Sequence, residues 1–147
     1  MQRNRHRVLA VALAVALAGF ASTLWAATEL TGAAILEHPC GKASVRQMGL
    51  VHAGKMQEAN QLTTAELQEQ WTGMSEQDRT MMSGMMKEMS QTEAAYAAAI
   101  KANGVLAIDG GNAKLTVKKT TADKSGSSTE TVTQNFKIDG NQCLISR

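Results

Sequence analysis

The chain changes its hydrophobic period once, at Gly104. Before it, apolar residues recur every three or four positions, the spacing of a helix; after it they alternate, the spacing of a strand. Lys42 to Ala53 sets Val45, Met48, Leu50 and Val51 at helical spacing, and Gly54 is a natural stop. A shorter helical piece covers Met56 to Gln61. Thr63-x-x-Glu66 has the form of a capping box, opening a helix through Ala65, Leu67 and Trp71 that Gly73 ends. Ser75 caps the longest helix, with Glu76 and Asp78 favourable in its positive first turn. In that helix Met82, Met85, Met86 and Met89 form a single apolar stripe. Ser90-x-x-Glu93 is a second capping box; the alanine-rich helix after it runs through Ala94, Ala95, Ala97, Ala98 and Ile100 and closes at Asn103 and Gly104 in a left-handed cap.

Four strands follow. Val105 to Asp109 leads through the turn Gly110-Gly111-Asn112 into Ala113 to Thr121, where Ala113, Leu115 and Val117 share one face and Lys114, Thr116 and Lys118 the other. Ala122 to Ser128 is a polar loop. Thr129 to Asp139 alternates again, with Val132, Phe136 and Ile138 inward and Thr131, Thr133 and Lys137 outward. Asp139-Gly140-Asn141 turns into the last strand, Gln142 to Ser146. Helices followed by an antiparallel four-stranded meander predict an α+β domain with helices over one sheet face.

The N-terminus predicts export. Arg3, Arg5 and Arg7 precede an apolar run from Val8 to Phe20, shorter than the roughly 20 residues a membrane span needs. A basic start, a short apolar stretch and small residues after it make a cleavable signal, with the cut expected between Ala26 and Ala27. Residues 1–26 are then the signal peptide, 27–41 an N-terminal segment and 42–147 the α+β domain. Losing three arginines turns 15 basic against 13 acidic residues into a small net negative charge. No clustered basic footprint for nucleic acid remains. Lys114, Lys118 and Lys119 read as a solvated strand face.

Aromatic residues make up only 3% of the chain, so the core must come from aliphatic residues, alanine and methionine. There are two cysteines, Cys40 and Cys143. In an exported protein two cysteines are expected to pair; the alternative is two separate buried thiols. No C-x-x-C redox motif, zinc spacing, phosphate loop or nucleophile elbow occurs.

From about Lys42 to Ser146, helical front half included, the chain resembles the small exported NTF2-like (cystatin-like) domains, including a group described as lumazine-binding-like. The matching residues are Gly104, Leu106, Ile108 and Gly110, then Ala113, Leu115 and Val117, then Phe136, Asp139, Gly140 and Ile145. Val51-His52-Ala53-Gly54-Lys55 resembles the end of that family's first helix, with Lys55 where an aspartate usually stands. Cys143 stands where the family tends to carry tryptophan. The resemblance implies a curved sheet wrapped around helices, with a cone-shaped cavity.

Candidate chemistry is sparse. Nine methionines occur, five of them between Met81 and Met89. Their spacing fits a buried stripe filling a core short of aromatics. The alternatives are a surface for a partner, and Cu(I) held by Met82, Met86 and Met89, with Met85 or His52 adding a ligand, because thioethers suit that ion. Tyr96 and Asp109 are the candidates for acid–base work, and His38 with Cys40 for a nucleophilic pair. No constellation joins them, so no catalytic residue and no cofactor is expected. The expected function is an exported, non-catalytic binding or accessory module for a small apolar ligand or an envelope protein. The alternatives are a protein–protein inhibitor or immunity-type partner docking through Ala122 to Ser128 or through the exposed Thr/Lys strand face, and a periplasmic copper-handling protein.

Overall fold

A computed structural model describes residues 27–123 and 126–147. Residues 1–26, the expected signal peptide, lie outside the described residues, as do Lys124 and Ser125 of the polar loop. The chain is α+β. A strand β1 (Thr28–Thr31) is followed by six helices: α1 (Ala33–Glu37), α2 (Pro39–His52), α3 (Met56–Asn60), α4 (Ala65–Gly73), α5 (Glu76–Met89) and α6 (Glu93–Asn103). Then come β2 (Gly104–Asp109), β3 (Asn112–Asp123), β4 (Gly126–Asp139) and β5 (Gln142–Ser146). The sheet is antiparallel and ordered β1-β2-β3-β4-β5.

It has five strands where the alternation predicts four. Thr28–Thr31 carries no readable period, and its pairing with β2, Leu30 opposite Leu106, makes it a strand. The segment 27–41 therefore holds an edge strand and a short helix as well as the start of α2. The opposite edge, β5, is covered in part. Thr64 N–H donates to the Ile145 carbonyl at 2.9 Å and Ile145 N–H to the Leu62 carbonyl at 2.9 Å. That cover shortens the unpaired stretch of β5, and β1, at four residues, is a short edge of the kind that limits aggregation.

Alternation places one sheet face under the helices. Leu106, Leu115 and Phe136 are 0–1% exposed and pack with Ile35, Tyr96 and Ile100. Cys143 and Ile145 supply β5's share of that face. The sulfurs of Cys40 and Cys143 are at bonding distance, with Cα atoms 4.9 Å apart across 103 residues. The bridge ties the first turn of α2 to β5. Closing a loop of that length contributes about 4–5 kcal/mol in the chain-entropy description.

Several local expectations change. The cap of α4 is Thr64 rather than Thr63. Thr63 is 6% exposed, its backbone bridges Ile145, and its Oγ1 donates to the Asn60 carbonyl at 2.6 Å. Edge closure thus takes the residue that a capping box would need. Ser90 ends α5, and Thr92 caps α6 by accepting from Ala95 N–H at 3.2 Å. Gly104 is extended, not left-handed. Glycine is required there because a Cβ would overlap the Ile100 carbonyl. Ser75 does cap α5, and Gly54, at φ 76°, does end α2. The α2 end is a Schellman motif, with Lys55 N–H donating to the Leu50 carbonyl and Gly54 N–H to the Val51 carbonyl.

The polar loop is mostly ladder. Ala122 and Asp123 pair with Ser127 and Gly126, so β3 and β4 form one long hairpin. Its outer part has no third strand, because β2 pairs only as far as Val117 and β5 only as far as Asn135. Val132, expected inward, is 37% exposed although it faces the same side as buried Val117. The helices stop short of it.

Candidate functional site

The methionine stripe is not core. Helix α5 has no buried residue. Met81, Met82, Met85 and Met89 are 62%, 40%, 56% and 73% exposed. Arg79, Ser83 and Met86 are its half-buried positions. They recur at helical spacing, and of the stripe's four methionines only Met86 is on this inner side. The pattern identified an apolar face correctly, but that face looks outward and flanks the contact with α2.

Two concavities lie along that contact. One, of about 160 Å³, is lined by Gln47, Met48 and Val51 of α2 and by Met86, Met89 and Ser90. The second, of about 80 Å³, lies between α2, α3, α4 and α5 and shares Gln47, Val51 and Met86 with the first. Trp71, the one half-buried aromatic of α4, lines it. The α2–α5 groove is thus built of thioethers and one valine. Its polar boundary is formed by Gln47 and by Ser90, whose Oγ lies 3.3 Å from His52 Nδ1.

The acid–base candidates are not brought together. Tyr96 is 4% exposed, inside the helix–sheet interface. Burial raises its phenol above the ordinary value of 10.0, against a smaller opposite effect of its hydrogen bond with Ser44. Ser44, Gln134 and Gln47 continue the chain: Ser44 Oγ donates to Gln134 Oε1, and Gln134 Nε2 donates to Gln47 Oε1 at 2.7 Å. A serine hydroxyl has one proton, so with it given to Gln134 the 3.3 Å contact between Ser44 and Tyr96 takes the phenol's proton. This network satisfies the polar Gln134 next to Leu115 on the core face, where β4 leaves the helical cover. Sequence reading missed it, since alternation through Val132 and Phe136 makes position 134 a core position and glutamine obscures that.

Asp109 is exposed at the far end of β2. His38 does not serve Cys40 as a base, because that sulfur is bonded to Cys143. Its Nδ1 accepts from Cys40 N–H at 3.2 Å and so caps α2, just ahead of Pro39 at the first helical position. Burial holds the His38 imidazole below its ordinary value of 6.5. Lys114, Lys118 and Lys119 are exposed, as a solvated strand surface requires. Among the described residues no group of three or more His, Cys, Asp or Glu is placed to hold a metal ion, and no helix is long and apolar enough to cross a membrane.

Compared with known proteins, the chain matches no family model, no curated protein and no solved structure.

Proposed function

We propose that the protein is a non-catalytic binding module that works outside the cytoplasm, and that its binding surface is the methionine-rich side formed by α5 and the α2–α5 groove. One observation carries this: a helix with five methionines in nine residues contributes none to the core. Single exposed apolar residues are ordinary, but a contiguous apolar face on a small domain marks an interaction site. Methionine is suited to such a surface, because its flexible thioether adapts to varied partners. Tyr96, tied into an amide and hydroxyl chain, fits a structural part better than a catalytic one. The N-terminal signal pattern and the buried cysteine bridge support an oxidising location, where such bridges persist.

The NTF2-like reading belongs to the same proposal. Helices leading into a sequential meander support it. The helix-covered sheet face is filled by Leu106, Leu115 and Phe136, which favours a site on the outer helical side over one within a cone. The unsupported outer part of the β3–β4 hairpin favours a second reading, a protein partner docked on that ribbon.

The test is native mass spectrometry of the protein recovered from its producing cell, beside the Met82→Gln/Met85→Gln/Met89→Gln variant. The wild type is expected to carry an occupant and the variant to have lost it, with both melting alike, since exposed substitutions stay within about 0.5 kcal/mol each. An occupant kept by the variant, or a variant that fails to fold, contradicts the reading.

A further inference from the structure

The groove gathers sulfur from two helices. Met48 of α2 faces Met86 and Met89 of α5 across one concavity. A stripe on a single helix spreads its side chains along a convex surface, whereas here methionines of two helices line one concavity. His52 lies one helical turn beyond Met48, on the same side of α2.

The hydrogen bonds around His52 determine its tautomer. Ser90 Oγ gives its one proton to the Lys87 carbonyl at 2.6 Å. The imidazole must therefore be the donor in the 3.3 Å contact between His52 Nδ1 and Ser90 Oγ. Protonation at Nδ1 puts the lone pair on Nε2, the form in which a histidine ligates a metal. An outer hydrogen bond on the other ring nitrogen is how ligating histidines are oriented.

The available sulfur chemistry is specific. Cys40 and Cys143 are joined to each other, so no thiolate remains among the described residues. Thioethers carry no charge and need no deprotonation, and they select soft Cu(I); Zn(II) prefers thiolate, imidazole and carboxylate. We infer that Met48, Met86 and Met89, closed by Nε2 of His52, form a Cu(I) site. This assignment rests on the reading of the α5 side as the binding surface and names the class of its ligand. It differs from the single-helix set Met82, Met86 and Met89 by exchanging outward-facing Met82 for Met48 on the facing helix.

The experiment is an anaerobic titration of the oxidised protein with Cu(I) against a chromogenic Cu(I) chelator, with Zn(II) in a parallel arm. Methionine-to-leucine changes keep side-chain volume, and circular dichroism with intact mass reports the fold and the bridge of each variant. The wild type is expected to take one equivalent of Cu(I) and no Zn(II). Met48→Leu/Met86→Leu/Met89→Leu and, separately, His52→Leu are each expected to weaken uptake at least about 10-fold. Met74→Leu, a methionine at the end of α4 away from the groove, is expected to leave it unchanged. A wild type that takes no Cu(I), either groove variant binding undiminished, or loss of uptake in Met74→Leu overturns the assignment. If Cu(I) is refused while the α5 side still holds another occupant from the cell, the metal assignment falls and the binding-surface reading stands.

Discussion

Gly41 and Gly84 sit in helices for opposite reasons. Gly41, in the first turn of α2, lies so close to α1 that a Cβ would overlap the Ile35 carbonyl. Nothing lies within 4 Å of the place a Gly84 Cβ would take in α5. Gly41→Ala is expected to cost about 1–3 kcal/mol through overpacking. Gly84→Ala should gain about 0.5–1 kcal/mol from helix propensity. Urea unfolding of the two variants checks both signs. At His38 the residue scale sets a pH dependence. Its folded pKa is depressed below 6.5, so near that value the unfolded chain binds the proton more readily. The cap's contribution is therefore complete above pH 6.5 and is lost as pH falls through the lowered folded value. Melting curves between pH 7.5 and 5 should show that loss in the wild type. It should be absent in His38→Asn, which keeps a capping acceptor but does not titrate.

At the scale of elements, periodicity made α2, α3, α5, α6 and the alternating strands legible, because each buries or presents one face. It did not show which way a face points. The stripe on α5 has the spacing of a core helix, yet the helix has no buried residue, only half-buried Arg79, Ser83 and Met86, and its groove with α2 is lined by Met86 and Met89. Only the position of a neighbouring helix settles this, and no local pattern encodes it. β1 was illegible for a related reason: four residues acquire their conformation from Leu106 and its neighbours across the ladder. The candidate groove was half legible. The methionine count and His52 were plain in sequence, whereas the convergence of Met48 on Met86 depends on how two helices cross. Met86→Ala, the half-buried member, should destabilise the fold measurably more than Met85→Ala, which is 56% exposed and belongs in the range of surface substitutions, within about 0.5 kcal/mol. Denaturant midpoints of the pair separate a helix packed through Met86 from one packed through its stripe.

For the whole molecule, the bridge joins the two ends of the described fold, α2 and β5, around a core with few aromatics. Cys40→Ser/Cys143→Ser is expected to lose about 2–5 kcal/mol, read as a lower denaturation midpoint that reductant reproduces in the wild type. Helices cover one face of the sheet, and four of the exposed methionines lie on that helical side, on α5. On the proposed reading, the α5 side is where the molecule meets its occupant. Methionine oxidation footprinting tests this most directly, by treating the purified protein and the protein within an extract of its producing cell with dilute peroxide and reading each site by mass spectrometry. Rapid oxidation of Met81, Met82, Met85 and Met89 is expected in the purified protein, and protection of Met89 and its neighbours in the extract. Equal, rapid oxidation in both settings would contradict a bound occupant, and slow oxidation of all four in the purified protein would return the stripe to the core.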